Sequence, residues 1–262
     1  KPFLIKIMVI EQIPTKEEKK EIKEEVKLDV YYNDNRPFVS NRVGFSLQTG
    51  DKESGISDTY YKLNEGNWQK YTEKFYFPRE GRNSIIYYSI DQAGNKEPVK
   101  EAEFYLDTTP PAIKISPNKI IKLDGINFSG PQSTFRVGAL DAGSDLKSLE
   151  YSFRTDDQTT SEFSPVKDVD LKIPDIYANK RVLLTVRAID NLGNNSEKLF
   201  YFFHDLEAPV IETDIPVGKE FFKLGAKIKV TAKDTQSGLR WIKFSLNGAS
   251  EEFYADSIEL VR

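Results

Sequence analysis

The sequence predicts an all-β protein built from tandem β-sandwich domains, the last of them incomplete. Three observations predict this fold class: apolar and polar residues alternate along many short segments, the same pattern returns three times, and two proline-rich joints separate the copies. The chain has 262 residues, of which 39% are hydrophobic and 30% charged. That composition suffices for several small cores and is too apolar for a disordered chain.

The three copies align on Asp51, Asp141 and Asp234, which are 90 and 93 residues apart. Alternate positions before each aspartate hold apolar or small residues, the period of a half-buried strand: Phe45, Leu47 and Thr49, then Phe135, Val137 and Ala139, then Ile228, Val230 and Ala232. A second predicted strand follows in the same register: Tyr61 and Leu63, then Tyr151 and Phe153, then Phe244 and Leu246. A repeat of this length suits one sandwich per copy.

The first two copies also agree in their later halves. Residues 84–95 (SIIYYSIDQAGN) match 182–194 (VLLTVRAIDNLGN), and both segments end in an Asp-x-x-Gly-Asn turn. We expect their alternate residues to face inward: Ile85, Tyr87 and Ser89, then Leu184, Val186 and Ala188. The joints DTTPP (107–111) and DLEAP (205–209) then set the predicted boundaries: an N-terminal segment over 1–27 and repeats over 28–109, 110–208 and 209–262.

The third copy has no Asp-x-x-Gly-Asn turn within residues 209–262. Half a sandwich leaves one sheet face uncovered and backbone groups unpaired. The favoured interpretation is a longer parent chain. The alternative is strand complementation by residues 3–13 of a neighbouring copy, which would build head-to-tail assemblies.

The N-terminal segment holds a predicted strand and a charged linker. Residues 3–13 (FLIKIMVIEQI) are too short and too interrupted by charge for a membrane span, and they lack the features of a signal peptide. We interpret them as a β-strand. Residues 16–27 carry like charges at i and i+4, so we expect a solvated linker rather than a stable helix.

Charge and composition exclude several functions. The net charge of -4 provides no field for nucleic acid or an anionic membrane. The chain has no cysteine and one histidine, His204, so thiol chemistry is absent and we expect no enzyme and no required cofactor. His204 ends an aromatic strand, where a surface or joint position is the simplest interpretation.

The motifs of the first copy resemble the immunoglobulin-like repeats found in tandem on bacterial outer-membrane and surface proteins. The resemblance rests on Ser54-Gly55, on Tyr61 with Leu63, on Gly66 with Trp68 and Tyr71, on Asp91 to Asn95, and on DTTPP. The second copy departs from it at Asp145 and lacks the tryptophan, and its later strand also resembles fibronectin type III domains. The resemblance implies an extracytoplasmic bacterial protein, at the cell surface, in the outer membrane or in the periplasm, without naming a ligand.

Aspartates recur at the loop tips and joints, and two interpretations stay open. Asp caps turns by accepting backbone N–H bonds, which explains each position singly and is favoured. In an immunoglobulin-like sandwich, however, the joint leaving one repeat should meet the loops of the next, so Asp107 should approach Asp141, Asp145 and Asp190. Asp205 should similarly approach Asp234. Grouped carboxylates repel unless a cation such as Ca2+ lies between them.

Exposed aromatic residues are the second candidate site. Tyr60, Trp68 and Tyr71 surround a predicted hairpin and could anchor a protein or stack on a glycan. The alternative, that Trp68 and Tyr71 close the end of the core, is favoured because aromatic residues dominate small sandwich cores. Trp241 falls out of phase with the inward positions, so we expect it to point outward.

The sequence therefore predicts a non-enzymatic bacterial interaction protein in which tandem repeats project an adhesin-like binding surface. One alternative is a structural subunit or spacer of a cell-envelope assembly, contacting other chains through residues 3–13 or the open third repeat. A second alternative is an accessory region of a carbohydrate-active enzyme. A protein or glycan partner fits these hypotheses, whereas nucleic acid does not.

Overall fold

The computed structural model describes residues 30–50, 55–157, 162–168, 170–215, 223, 225–246 and 248–259, together with the backbone of residues 4–11. Across these residues the secondary structure is β-strand, with one 3-10 turn at Asp175–Tyr177 and no α-helix. The strands form several sheets, and the predicted all-β sandwich class is confirmed. None of the described residues belongs to a helix with the length and hydropathy needed to cross a membrane.

The strands are numbered in chain order. Those of the first part of the chain are β1 (Leu4–Glu11), β2 (Val30–Asn33), β3 (Arg36–Val39), β4 (Val43–Gly50), β5 (Ile56–Leu63), β6 (Gln69–Lys70), β7 (Gly81–Asp91) and β8 (Lys100–Leu106). Those of the middle part are β9 (Ala112–Leu123), β10 (Ile126–Leu140), β11 (Leu146–Thr155), β12 (Ser164–Pro165), β13 (Asp170–Lys172), β14 (Lys180–Asp190) and β15 (Asn195–His204). The remaining strands are β16 (Val210–Thr213), β17 (Lys227–Ile228), β18 (Val230–Lys233), β19 (Lys243–Phe244), β20 (Glu252–Phe253) and β21 (Ile258–Glu259).

The first part of the chain forms a six-stranded sheet in the order β2-β3-β8-β7-β5-β6. Its pairs are antiparallel except β3 with β8, which run parallel through Phe38↔Tyr105 and Val39↔Leu106. A second layer contains β4, which pairs with β1 and also forms a bridge from Phe45 to Phe75. Two layers are needed because each sheet buries one apolar face.

Alternation along β4 and β7 places the core of the first part. Phe45, Ile85, Tyr87 and Ser89 are buried, as the pattern predicts. Phe45 packs against three other rings, and the cluster as a whole consists of buried apolar residues: Val39, Val43, Phe45, Leu47, Phe75, Phe77, Ile85, Tyr87 and Leu106. Such rings supply much of the burial available to a small sandwich.

The middle part of the chain repeats this topology in a seven-stranded sheet. The order is β12-β11-β14-β15-β10-β13, with β9 paired to β10, and β10 runs parallel to β15 through Ser129↔His204. The residue pair Ser129↔His204 has the same place in its sheet as Val39↔Leu106 in the first part, because His204 and Leu106 each come just before a joint aspartate. Phe135 is fully buried and contacts the rings of Phe153, Phe200 and Phe202.

The last part of the chain contains three two-stranded sheets, formed by β16 with β18, β17 with β21, and β19 with β20. The pairing Phe244↔Glu252 has the same offset as Tyr61↔Gln69 in the first part. The early half of a repeat is therefore reproduced here in the same register. Among the described residues, this part contains no counterpart of β7 or β14.

The predicted N-terminal strand is present as β1. Its backbone pairs antiparallel with β4 of the same chain over Leu4↔Gly50 to Glu11↔Val43. The structure thus gives this strand a partner within its own chain, and self-assembly through it stays a prediction. The predicted linker over 16–27 lies outside the described residues.

By contacts between residues, the chain divides into two compact units. Unit 1 contains Lys1–Lys114, Gly138–Tyr151 and Val186–Lys198, and unit 2 contains Ile115–Val137, Ser152–Thr185 and Leu199–Arg262. Apart from β1, each sheet takes its strands from a single predicted repeat. The repeat boundaries themselves stay a prediction.

Candidate functional site

The Asp-x-x-Gly-Asn turns use the same hydrogen bonds in both copies. Asp91 accepts bonds from the backbone N–H and the side-chain amide of Asn95, at 2.7 and 2.8 Å. Asp190 accepts the corresponding bonds from Asn194, at 2.8 and 2.7 Å, and one more from the Leu192 amide. Each aspartate thereby closes its own turn, as the turn interpretation requires.

The first joint, residues 107–111, adds contacts that the isolated turns lack. Asp107 is 2% exposed and lies within unit 1. One of its carboxylate oxygens accepts the Thr109 amide at 3.1 Å, and the other accepts the Ser144 amide at 2.7 Å. The side-chain amide of Asn194 donates to the Asp107 carbonyl at 3.2 Å. The joint is therefore tied to two loops of the second copy.

Three carboxylates meet at this joint. One oxygen from each of Asp107, Asp141 and Asp190 lies within 4.8 Å of the others. Asp190 is fully buried and Asp141 is half-buried. Burial, followed by the charge of Asp107, raises the pKa of Asp141 above its ordinary value. None of the salt bridges within the described residues involves these three side chains.

Gly143 makes the close approach of Asp107 possible. A Cβ atom at this position would lie 2.4 Å from the Asp107 carboxyl carbon, far inside van der Waals contact. The Gly143 amide also donates to Asp141 Oδ1 at 3.1 Å. Ser144 follows, and its hydroxyl is buried without a hydrogen-bond partner among the described residues.

Asp145 is not part of the group of three carboxylates, and its predicted approach to Asp107 stays a prediction. Its side chain instead accepts a bond from the Tyr31 hydroxyl at 3.2 Å. Its backbone has a φ of 64°, and its carbonyl accepts from Asn191. The left-handed backbone ends the loop here. This conformation could not be deduced from strand alternation.

The second joint, residues 205–209, lies within unit 2 and repeats half of this arrangement. Asp205 accepts the Glu207 amide at 3.0 Å and the Ser237 amide at 3.0 Å. Asp234 accepts the Gln236 and Gly238 amides at 3.0 and 2.9 Å. Asp205 and Asp234 thus bind the same loop, as the sequence predicts. No third carboxylate joins them among the described residues.

An aromatic face covers part of the six-stranded sheet of unit 1. We define it as Tyr60, Trp68 and Tyr88 with the lysines Lys62 and Lys96. Tyr60 stacks on Tyr88 at 5.5 Å between ring centroids, and the edge of Trp68 meets Tyr88 at 4.8 Å. The Lys96 ammonium lies 3.7 Å from the Tyr88 centroid, and Lys62 lies 5.5 Å from Trp68. Trp68 is 42% exposed.

The structure separates the other predicted aromatic residues from this face. Tyr71 packs against the core cluster and meets the edge of Tyr61 at 6.2 Å. Trp241 points outward as predicted, with 52% exposure, and lies beside Phe253 and the Lys243 ammonium. The sequence pattern does not predict that Tyr88 belongs to this face, because its contact with Tyr60 depends on the strand register Tyr60↔Tyr88.

His204 is buried and does not lie at the surface, the position that the sequence had suggested. It is 2% exposed and occupies the register position that Leu106 has in the first copy. Its Nδ1 lies 2.9 Å from the Ser129 hydroxyl, and its Nε2 has no partner among the described residues. Burial lowers the pKa of His204. The side chain is therefore neutral and enclosed, which excludes contact with a substrate in this state.

No protein-family model matches the sequence, and no curated protein matches it either. Among solved structures, the chain is similar to one from work on host cell surface retention of a 1.5-MDa bacterial ice-binding adhesin. The match covers 79% of this chain and 74% of that chain, with 10% sequence identity and a TM-score of 0.40. The structural neighbour is thus a domain of a large bacterial surface adhesin.

Proposed function

We propose that this chain is a non-enzymatic interaction protein of the bacterial cell surface or periplasm, in which tandem immunoglobulin-like repeats present a binding surface. The observation that carries the proposal is the aromatic face. Tyr60 on β5 and Tyr88 on β7 form, with Trp68 just before β6, a continuous and partly exposed set of rings with two lysines at its border. Rigid aromatic residues of this kind dominate binding energy at protein surfaces.

Two features support a binding role over a catalytic one. The single histidine is buried, and the three clustered carboxylates are tied to backbone amides. The aromatic face is instead partly exposed to solvent, with 42% of Trp68 accessible. The two lysines lie over the ring faces of Tyr88 and Trp68 and add positive charge to this surface.

The binding role is tested with the full chain on arrays of immobilised glycans and extracellular proteins. We expect Trp68→Ala to weaken binding of any captured ligand at least tenfold, because a central aromatic anchor is removed. Trp241→Ala is the matched control, since it removes the other tryptophan, which is exposed to a similar degree at 52% against 42% for Trp68. Equal binding by the Trp68→Ala variant and the parent chain would remove the aromatic face from the proposal.

The location is tested separately in the source bacterium. Antibodies against the chain should label intact cells, and externally added protease should remove the signal if the protein faces outward. Labelling only after the outer envelope is permeabilised would support the periplasmic form of the proposal. Labelling only after the cytoplasmic membrane is also opened would contradict both forms.

A second candidate function is a structural subunit of an envelope assembly, and one observation favours it. The last part of the chain exposes large apolar side chains: Val210, Ile211, Leu239, Trp241 and Phe253. Exposed apolar groups in short two-stranded sheets invite association with another chain. Light scattering across a concentration series tests this candidate, which predicts reversible association that Phe253→Ser weakens.

A further inference from the structure

The three carboxylates of the first joint lie where mutual repulsion needs a counter-charge. Asp107 and Asp190 are almost completely buried, and Asp141 provides a half-exposed side. Backbone amides of Thr109, Ser144 and Leu192 donate to the two buried carboxylates and fix their positions. Clustered anions in a poorly hydrated pocket attract a cation strongly.

The hydroxyl of Ser144 provides a second, independent observation, because the hydrogen bonds among the described residues leave it without a partner. Its backbone N–H contacts Asp107 at 2.7 Å, so its side chain lies beside the same carboxylate. The Ser144 hydroxyl is nevertheless 0% exposed and without a hydrogen-bond partner among the described residues. A buried polar group without a partner costs roughly 1–3 kcal/mol, so a ligand for this oxygen is expected.

We propose that Asp107, Asp141, Asp190 and the hydroxyl of Ser144 form a Ca2+ site at the first joint. Calcium takes six to eight oxygen ligands at about 2.3–2.6 Å, so two ligands of one ion can be up to about 5 Å apart. The carboxylate oxygens lie within 4.8 Å of one another, which fits that sphere. Magnesium, with ligands at about 2.0–2.1 Å, requires a tighter octahedron.

The site has a protein scaffold that is already in place. Gly143 admits the Asp107 carboxylate, and Asn194 holds both Asp190 and the Asp107 carbonyl. The half-exposed Asp141 provides the entrance and room for water ligands. Carboxylate ligands must be ionised to bind a metal, so calcium binding should weaken in acid.

Calcium titration of the full chain by calorimetry, after EDTA treatment and dialysis, tests the site. We expect one Ca2+ bound per chain, a melting temperature that rises by several degrees, and weaker binding of Mg2+. Asp141→Asn should raise the dissociation constant at least tenfold. This variant retains a side-chain oxygen for the Gly143 amide, and circular dichroism checks its fold.

Two further variants separate ligation from structure. Ser144→Ala removes an oxygen that has no hydrogen-bond partner in the described part of the chain, so it should weaken calcium binding without lowering the melting temperature in EDTA. Asp91→Asn is the matched control, because Asp91 closes the same type of turn outside the carboxylate cluster and should keep the parent affinity. The weakest extracellular calcium modules have dissociation constants of about 1 mM. The absence of any binding heat up to about 10 mM calcium, ten times that value, would therefore overturn the site. Unchanged affinity in Asp141→Asn would also overturn it, and unchanged affinity in Ser144→Ala would remove the hydroxyl from it.

Discussion

The two joints of the molecule have the same backbone hydrogen bonds but different chemistry. Asp107 and Asp205 each bind an amide two residues ahead and a serine amide in the following loop. Among the residues that the structure describes, a third carboxylate, Asp190, is present only at the first joint. One aspartate is therefore enough to bind a joint to the following loop. The cation site also needs Asp190, which belongs to the later turn of a complete repeat.

A second difference lies in the loop residue that faces the joint aspartate. In the first joint this position is Gly143, and in the second it is Gln236, which bonds to Glu207 at 3.3 Å. A side chain is therefore compatible with the second joint. The first joint brings its carboxylate so close to the loop that only glycine fits.

The largest expected effect comes from Gly143→Ala. The added Cβ must displace the buried Asp107 carboxylate and break its two amide bonds, so we expect a loss of about 2 kcal/mol in the free energy of unfolding. Gln236→Ala at the second joint should change stability by no more than about 0.5 kcal/mol. Urea unfolding of both variants measures the difference. Equal effects would show that the two joints are not distinct.

A smaller effect is expected when the joint aspartates are neutralised. Asp205→Asn replaces one acceptor by a donor that faces an amide, which should cost about 1 kcal/mol. Asp107→Asn makes the same change but also relieves repulsion from Asp141 and Asp190. In EDTA, calorimetric melts should therefore find Asp107→Asn the less destabilising of the two. In millimolar calcium the order should reverse.

The smallest expected effect is on pH dependence, at the strand end preceding the second joint. His204 has a lowered pKa when folded, so the unfolded chain binds more protons below the ordinary value of 6.5. Stability should accordingly fall as the pH decreases below that value. His204→Leu copies Leu106 of the first copy and should remove this component, so the variant should lose less stability than the parent chain between pH 7.5 and 5. Melts at pH 7.5 and 5 measure it, and an unaltered pH profile would contradict the assignment to His204.

The raised pKa of Asp141 changes the stability with pH in the direction opposite to that of His204. Its contribution to stability is present below the ordinary pKa of the carboxyl and is lost as the pH rises through the raised value. The two groups therefore influence different parts of the pH profile. His204→Leu leaves the Asp141 component in place, which serves as an internal reference for the measurement.

Sequence patterns predicted the strands well because burial in a sandwich follows a period of two. The inward positions of β7 and β14 are buried as expected, including Ser89 and Ala188. The Asp-x-x-Gly-Asn turns form as predicted because their bonds are local. The meeting of Asp107, Asp141 and Asp190 also followed from the order of strands in one topology.

Features that depend on register or on a single backbone torsion escaped prediction. Tyr88 reaches Tyr60 only through the pairing of β5 with β7. Asp145 has a φ of 64°, and its side chain accepts a bond from Tyr31 rather than joining the three carboxylates. Tyr71 and Trp68 are three residues apart, yet one joins the core and the other the surface. Alternation along one strand contains no information about which neighbour a side chain meets.

The difference between the joints is tested most directly by diffraction from crystals of the full chain grown with millimolar calcium. Anomalous scattering should locate one Ca2+ among Asp107, Asp141 and Asp190, and none beside Asp205 and Asp234. Equal density at both joints, or no ion at the first, would contradict the account.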